Sequence, residues 1–509
     1  MMLDQLIGGL GIRVVRGNAS AARVSDLTED SRTVLPGSLF VARKGLSSDG
    51  RLFVREACEL GASAVLTDDA TLETPPGVVL CCCDDVALTT ARLAERFYGD
   101  PSSRLVLAGV TGTNGKTTVA YLIYRILHRC GVRCGLVGTV LVDDGREVAP
   151  AAMTTPPAIE LSRTLATMVE SGCQAAAMEV SSHALAQKRA DGVRFDVAIF
   201  TNLTRDHGDY HPDVEHYIES KRRLFDLLAD DGLGVVNIDD PISERFRARR
   251  LVRCSLRQDA EWRAEIRAQS LEGMELSLIG PGGQVRCTTE MFGAYNAINV
   301  LEAFVAARAM LERLGGEVPM QRLSAAMLGL RPPPGRIERV SKAEDDVSVF
   351  VDYAHTPDAL RSVLESVRAV SSGRRVCVVF GCGGDRDRVK RPEMGRIAGE
   401  LADRVVVTSD NPRHETPGRI ISEIIDGMSP AVRSRVEVHV DRRTAIDRAI
   451  HRAAPGDIVI IAGKGHERMQ ILPDPRGGGG LIEVPFDDVA VAREALQDRR
   501  KRSIEATNA

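Results

Sequence analysis

The run RLVLAGVTGTNGKTTVAYLIYRIL, residues 104–127, constrains this chain more than any other stretch. Leu105 to Val110 is apolar and suits a buried strand. Beyond Lys116, residues Val119, Leu122, Ile123, Ile126 and Leu127 recur at helical spacing up to Gly131. Between the two lie Gly112, Thr113, Asn114 and Gly115, followed by Lys116, Thr117 and Thr118. In such a strand–loop–helix the glycines let backbone N–H groups converge on phosphate oxygens at the helix N-terminus. Lys116 adds a point charge, and the Thr117 hydroxyl can join a magnesium ion. The general spacing G-x-x-x-x-G-K-[ST] asks for glycine at position 110, where this chain has Val110. An ordinary glycine turn into a helix is the plainer alternative, but the flanking strand and helix favour a nucleoside triphosphate.

At 509 residues the chain is too long for one core, and three α/β domains are expected. Residues 1–103 read as a small N-terminal α/β domain, with β-like SLFVA and SAVLT around a helical RLFVREACELG, ending at the turn-rich YGDPSS. Residues 104–331 read as a central P-loop ATPase-like α/β domain with a mostly parallel sheet, because runs such as DVAIFTNLT and LGVVNIDD alternate with amphipathic stretches. RPPPGR, residues 331–336, is a stiff break where few helices or strands could continue. Residues 332–509 then carry VSVFVDYAH, RRVCVVFGCGG, DRVVVTSD and GDIVIIAGKG between helical segments, the pattern of a doubly wound Rossmann-like domain. RGGGG at 476–480 reads as a flexible loop.

Composition narrows the partners. A net charge of −4, from 66 basic and 70 acidic residues, gives no chain-wide field for nucleic acid. The basic tail RRKRSIEATNA is expected to be a solvated helix end that frays. The eleven cysteines show neither zinc nor CxxC spacing, and Cys81, Cys82 and Cys83 lie in an apolar stretch resembling a buried strand. With no signal-like start and no apolar run of membrane-spanning length, a reduced, cytoplasmic chain without a membrane partner is expected.

The loop alone would fit several phosphate-transferring chemistries, so its neighbours matter. MEVSSHALAQKR (178–189) and TNLTRDHGDYH (201–211) both follow strand-like runs, where α/β sheets place ligand-binding residues. Glu179 and His207 could hold a divalent cation there, although either could equally be a structural residue satisfied by a hydrogen bond.

Taken in order, GTNGKTT, MEVSSHAL, TNLTRDHGDYH, YIESKRRLF, FGAYNAINV, PPPGRIE and VDYAHTPDAL resemble the Mur ligases, ATP-dependent amide-bond-forming enzymes of peptidoglycan precursor synthesis. The resemblance runs from about residue 27 to residue 490, and the loop without its outer glycine is the family's own variant. It implies an acyl phosphate formed from ATP and two magnesium ions. One ion would sit on Thr117 and the phosphates, the other on Glu179, His207 and a carbamylated Lys221; Lys116, Lys221, His207 and Glu179 would form the catalytic set. Besides the loop residues Gly112 to Thr118, Asn296 would contact adenine, and Arg336 and Asp352 would reach the phosphates and ribose of ATP from the last domain.

TEDSRTVLPGSLFVARKGLSSDGRLFV resembles a uridine-nucleotide segment, which implies that Ser31, Ser47 and Ser48 bind UDP. Thr154, Thr155, Ser181, Gln187 and Arg189 would hold the rest of UDP-N-acetylmuramoyl-L-alanyl-D-glutamate. SDNPRHETP resembles the segment of ligases that add meso-2,6-diaminopimelate, with Asp410, Asn411, Pro412 and Arg413 joined by Arg386, Gly463 and Glu467. Arg413 and Arg386 could grip the distal carboxylate of that amino acid, and Glu467 could face its distal ammonium. GKG at 463–465 is not a second phosphate loop, since neither Ser nor Thr follows Lys464. A lysine-adding relative and a nucleotide-binding protein without catalysis are alternatives, as is a folylpolyglutamate-synthetase-like ligase, against which the uridine-type first domain speaks. A cytoplasmic monomer is expected.

Overall fold

A computed structural model of the chain describes residues 1–509 apart from 46–47, 209, 316–318, 477–478 and 509. Three main sheets follow one another along the sequence. The first has five strands in the order Arg13–Arg16, Val79–Cys82, Ala64–Thr67, Ser38–Ala42 and Asp26–Thr28, parallel except at the first pair. Cys81 and Cys82 sit on its second strand, buried as expected. The helical reading of RLFVREACELG is realised as a 3-10 turn, Gly50–Phe53, running into a short helix, Val54–Glu59.

The central sheet has eleven strands, and its middle is parallel. Val106–Thr111 lies between Ala175–Glu179 and Phe195–Phe200, with Leu228–Asn237 next, all running the same way. Antiparallel strands flank this block: Leu141–Asp143 and Val148–Pro150 on one side; on the other, Trp262–Ser270 joins parallel to Arg250–Ser255 and is followed antiparallel by Gly273–Gly280 and Gly283–Thr289. Side chains alternate between the two faces along each strand. Leu107 therefore joins a layer with Leu161, Leu165 and Phe225, while Ala108 and Val110 join the helices Lys116–Arg129 and Ala294–Gly315. The helical spacing read from residues 119–127 is the buried face of the first of these helices.

The third sheet runs Glu338–Arg339, Ser348–Asp352, Ile458–Ala462, Val376–Phe380, Arg404–Thr408 and Glu437–His439, parallel after its first pair. Val349 and Val351 face the helices Arg442–His451 and Asp488–Asn508, while Phe350 faces Pro357–Val370 on the opposite side, so both faces are covered. Met469–Pro473 pairs antiparallel with Leu481–Pro485, which no alternation in the sequence announced; of the glycine run read as a loop at 476–480, residues 477–478 lie outside the described residues. The basic tail is tied down at its start rather than simply solvated: Arg499 pairs with Asp346 and Arg500 with Glu344.

Ile123 is fully buried between the loop helix and the sheet. Ile123→Ala should cost about 2–5 kcal/mol through lost transfer energy and the cavity left behind. A lowered unfolding midpoint of the central domain in thermal or urea melts checks this.

Candidate active site

The parallel pairing of three central strands sets the site. Their carboxyl ends release the loops after Thr111, Glu179 and Phe200 side by side, so the lysine loop, MEVSSHAL and TNLTRDHGDYH meet on one edge. The Thr113 N–H donates to the Asn202 carbonyl at 2.8 Å, and the Asn114 N–H to Asn202 Oδ1 at 3.0 Å. In return, Thr201 Oγ1 and Asn202 Nδ2 donate to the Asn114 carbonyl at 2.6 and 3.1 Å. This clamp leaves no room for a side chain at Gly112, whose φ is 149° and whose added Cβ would strike the Thr201 hydroxyl. Lys116 Nζ donates to the Gly112 and Thr113 carbonyls at 2.9 and 2.8 Å, and burial lowers its pKa.

Glu179, 1% exposed, ends its strand beneath the helix start. Thr117 Oγ1 donates to Glu179 Oε2 at 2.9 Å, while the Thr139 N–H donates to Oε1 at 2.6 Å and Thr139 Oγ1 to Oε2 at 2.9 Å. His207 has φ 55° and stands beside Asp206, with its ring 4.6 Å from that of His183. Burial pushes its imidazole below the ordinary range, which keeps it neutral and able to donate a lone pair. Lys221 is buried, donates to the Gly112 carbonyl at 2.7 Å and lies 4.4 Å from the centre of the Tyr217 ring. Desolvation first, and the charge of Lys116 second, hold its pKa well below the usual lysine value.

These groups fit a magnesium ion held largely by substrate oxygens. Thr117 and Glu179 present hard oxygen donors already in contact, which suits an ion that keeps waters and phosphates as its other ligands. Among the described residues no cluster of three or more His, Cys, Asp and Glu forms a ready-made cage.

The third domain closes over the loop. Arg336 Nη2 donates to Thr117 Oγ1 at 3.1 Å while its guanidinium lies over the Tyr353 ring, 4.5 Å from the centre. Asp352, at the end of its strand, accepts from the Ile337 and Ala354 N–H groups at 2.7 and 2.8 Å. Asn296, on the long helix, donates to the Phe292 carbonyl at 3.0 Å. Asn114, Thr118, Asn296, Arg336 and Asp352 line one cleft of about 310 Å³.

One further cleft and two side-chain clusters carry the remaining expected residues. In the first domain Ser31, Arg43, Ser48 and Phe53 line a cleft of about 550 Å³, and Ser31 Oγ donates to Glu56 Oε2 at 2.9 Å. Ser47 lies outside the described residues. Arg189 donates to Gln187 Oε1 through Nε and Nη2 and to the Thr155 carbonyl at 2.9 Å. Burial and then the charge of Arg43 lower its pKa, so the two patches adjoin. Thr155 Oγ1 donates to the Glu179 carbonyl at 2.8 Å and accepts from the Ser181 N–H; the Thr154 and Thr139 hydroxyls are 3.0 Å apart.

In the third domain Arg413, with φ 51°, donates to the Gly384 carbonyl at 2.8 Å, and exposed Arg386 is close enough for its charge to lower the Arg413 pKa, after burial. The Asp410 carboxylate lies against Gly463, and the buried Pro412 carbonyl accepts from the Glu415 N–H at 3.0 Å. Asn411 Nδ2 donates to Glu467 Oε2 at 3.0 Å. Glu467 is not an unpaired anion: buried Lys464 donates to it at 2.9 Å and to Asn411 Oδ1 at 3.1 Å.

Family models match the chain in three consecutive stretches: the Mur ligase family catalytic domain over residues 23–98, the Mur ligase middle domain over 110–307, and the Mur ligase glutamate ligase domain over 335–465. A relative from Gloeobacter violaceus, UDP-N-acetylmuramoyl-L-alanyl-D-glutamate--2,6-diaminopimelate ligase, is 44% identical over 99% of both chains. One of the same description from Chlorobaculum tepidum is 42% identical over 92% of this chain and 93% of its own. The chain belongs to the Mur ligase family. A solved structure of a ligase of that same description is 31% identical, with a TM-score of 0.68 over 98% of this chain and 99% of its own. A MurF ligase from Thermotoga maritima in complex with ADP shares the fold at 19% identity and a TM-score of 0.60, over 96% of this chain and 99% of its own.

For this Mur ligase, sequence reasoning passed over several residues the geometry makes important. Asn202 and Thr201 clamp the loop, Thr139 orients Glu179, Tyr353 supports Arg336 and Lys464 neutralises Glu467. Asn202 lies inside a run already singled out, TNLTRDHGDYH, and Lys464 inside another, GDIVIIAGKG. Thr139 carried no signal, because its partner is distant in sequence. Lys116→Ala removes the one loop ammonium and should abolish turnover while circular dichroism and melting stay close to the parent; near-full ATP turnover would show that the loop does not hold the triphosphate.

Proposed function

We propose that this enzyme is an ATP-dependent ligase joining meso-2,6-diaminopimelate to UDP-N-acetylmuramoyl-L-alanyl-D-glutamate in peptidoglycan precursor synthesis. Its proposed units are residues 1–103 for the uridine nucleotide, 104–331 for ATP and 332–509 for the amino acid. The glutamyl carboxylate attacks the γ-phosphate of ATP, giving an acyl phosphate and ADP; the incoming amine then attacks the acyl carbon, and the tetrahedral intermediate collapses with release of phosphate. Lys116 and Arg336 set two positive charges around the transferring phosphoryl group, and the cleft between the second and third domains keeps water from the acyl phosphate. Asn296 and Asp352 place the nucleoside, while Ser31, Ser47, Ser48, Thr154, Thr155, Ser181, Gln187 and Arg189 place the UDP-muramoyl-dipeptide.

Thr117, Glu179, His207 and a carbamylated Lys221 would hold magnesium, which when bound screens the phosphate charges. Burial of Lys221 disfavours its ammonium form, and the free amine can add carbon dioxide and lose a proton, so that an anion stands where a cation would repel the metal. The observation that carries the choice of amino acid is the pair Arg386 and Arg413, two guanidinium groups near enough to repel each other. A distal carboxylate would relieve that repulsion, and L-lysine has none. Asp410, Asn411, Pro412, Gly463 and Glu467 complete the proposed pocket. A cytoplasmic monomer is part of the proposal; among the described residues the cysteines are free, and no helix is long and apolar enough to cross a membrane.

Incubation with ATP, magnesium, the UDP-muramoyl-dipeptide and either amino acid, with the product weighed by mass spectrometry, tests the reading; faster turnover on L-lysine would favour the lysine-adding alternative. Lys221→Ala should be inactive and partly rescued by acetate, which supplies the missing anion. Arg413→Ala should raise the KM for meso-diaminopimelate by the equivalent of about 2–5 kcal/mol, as expected when one partner of a desolvated charge pair is lost, and leave those for ATP and the UDP-muramoyl-dipeptide nearly unchanged.

A further inference from the structure

The two arginines of the proposed amino-acid pocket sit on loops that have reason to spring apart. Arg386 and Arg413 carry like charges, and both loops hold a non-glycine residue in the left-handed region, Asp385 at φ 52° and Arg413 at φ 51°. The loops nevertheless abut so closely that a Cβ on Gly384 would strike the Pro412 carbonyl. What lies beneath them is Arg391, a fully buried arginine in the first turn of the helix Lys390–Leu401.

Arg391 grips both loops at once. Its Nη2 donates to the Gly383 carbonyl of one loop at 3.0 Å and to Glu415 Oε1 of the other at 2.7 Å; its Nη1 donates to Glu415 Oε2 at 2.9 Å and to Glu423 Oε2 at 2.7 Å. Glu415 returns across the gap, since its Oε1 accepts from the Asp385 N–H at 2.7 Å. Glu423, on the helix Pro417–Asp426, is held from its other side by Arg388 of the first loop. Hydrogen bonds from Arg391 keep the Glu415 carboxyl at about 2, so the clamp stays ionised across the working pH range.

We propose that the Arg391–Glu415 pair is the positioning element for amino-acid selection: it fixes the spacing of Arg386 and Arg413 against their mutual repulsion, so that the two forks meet one carboxylate. Neither residue touches substrate. The proposal rests on the reading that this pocket takes the distal carboxylate of a diamino diacid. It also predicts which kinetic constant responds: loosening the loops changes capture of that carboxylate and leaves the triphosphate cleft alone.

The test is steady-state kinetics on the full enzyme with Arg391→Lys, Glu415→Gln and, in parallel, Arg413→Ala. Lysine cannot span both loops, and glutamine keeps the shape of Glu415 without its charge. Each should raise the KM for meso-diaminopimelate at least tenfold, leave the KM values for ATP and the UDP-muramoyl-dipeptide within twofold, and lower the preference for meso-diaminopimelate over L-lysine. An unchanged KM and preference in a folded Glu415→Gln enzyme overturns the proposal, as does an equal rise for all three substrates. Failure of Glu415→Gln to fold also overturns it, because the pair would then be holding the domain rather than the fork. If Arg413→Ala itself leaves the meso-diaminopimelate KM unmoved, the pocket assignment fails instead, which separates the two outcomes.

Discussion

The arrangement depends first on the parallel pairing of Val106–Thr111 with Ala175–Glu179 on one side and Phe195–Phe200 on the other. Parallel strands release their loops from the same edge, so three segments scattered over a hundred residues converge on one point. The hydrogen bonds between Asn114 and Asn202 and between Thr117 and Glu179 follow from that register. A slip of one residue would exchange the faces of Val110 and Thr111, taking Val110 out of the layer it shares with the helices Lys116–Arg129 and Ala294–Gly315 and misaligning the loop.

Charge gives the site its direction. Lys116 and Arg336 stand beside the loop, and Arg386 lies near Arg413 in the proposed amino-acid pocket. Burying cations near one another is unfavourable unless anions join them, and the proposed substrates supply a triphosphate and carboxylates. Where the fold needs a permanent partner it provides one, as with Arg391 and Glu415. The pattern separates groups that await a ligand from groups that hold the frame.

Much of this is legible in the order of residues alone. Residues 104–127 announce strand, loop and helix because both periodicities and the glycines are local properties of the chain. The four strand-like runs of the last domain are strands in the structure for the same reason: buried on both faces, they are apolar almost without interruption. The pairing of Met469–Pro473 with Leu481–Pro485 leaves little trace in the sequence, since these strands are largely exposed and their patterns weak. Thr139 and Arg391 are likewise invisible there, a common residue type each, given meaning only by partners that lie 40 and 24 positions away.

The sequence by itself determined what chemistry is at hand: a phosphate loop, the ordered motifs of a Mur ligase, and two arginines in GGDRDR and SDNPRHETP. These are statements about residue types and spacing, which survive without coordinates. Only the tertiary structure decided which of them act together. It placed Arg336 on Thr117 across a domain boundary, paired Glu467 with Lys464, and set Arg391 beneath both arginine loops. The physical reason is range: backbone preference and periodicity act over a few residues, whereas the fields and hydrogen bonds of a site act over a few ångströms between groups the chain brings together only on folding.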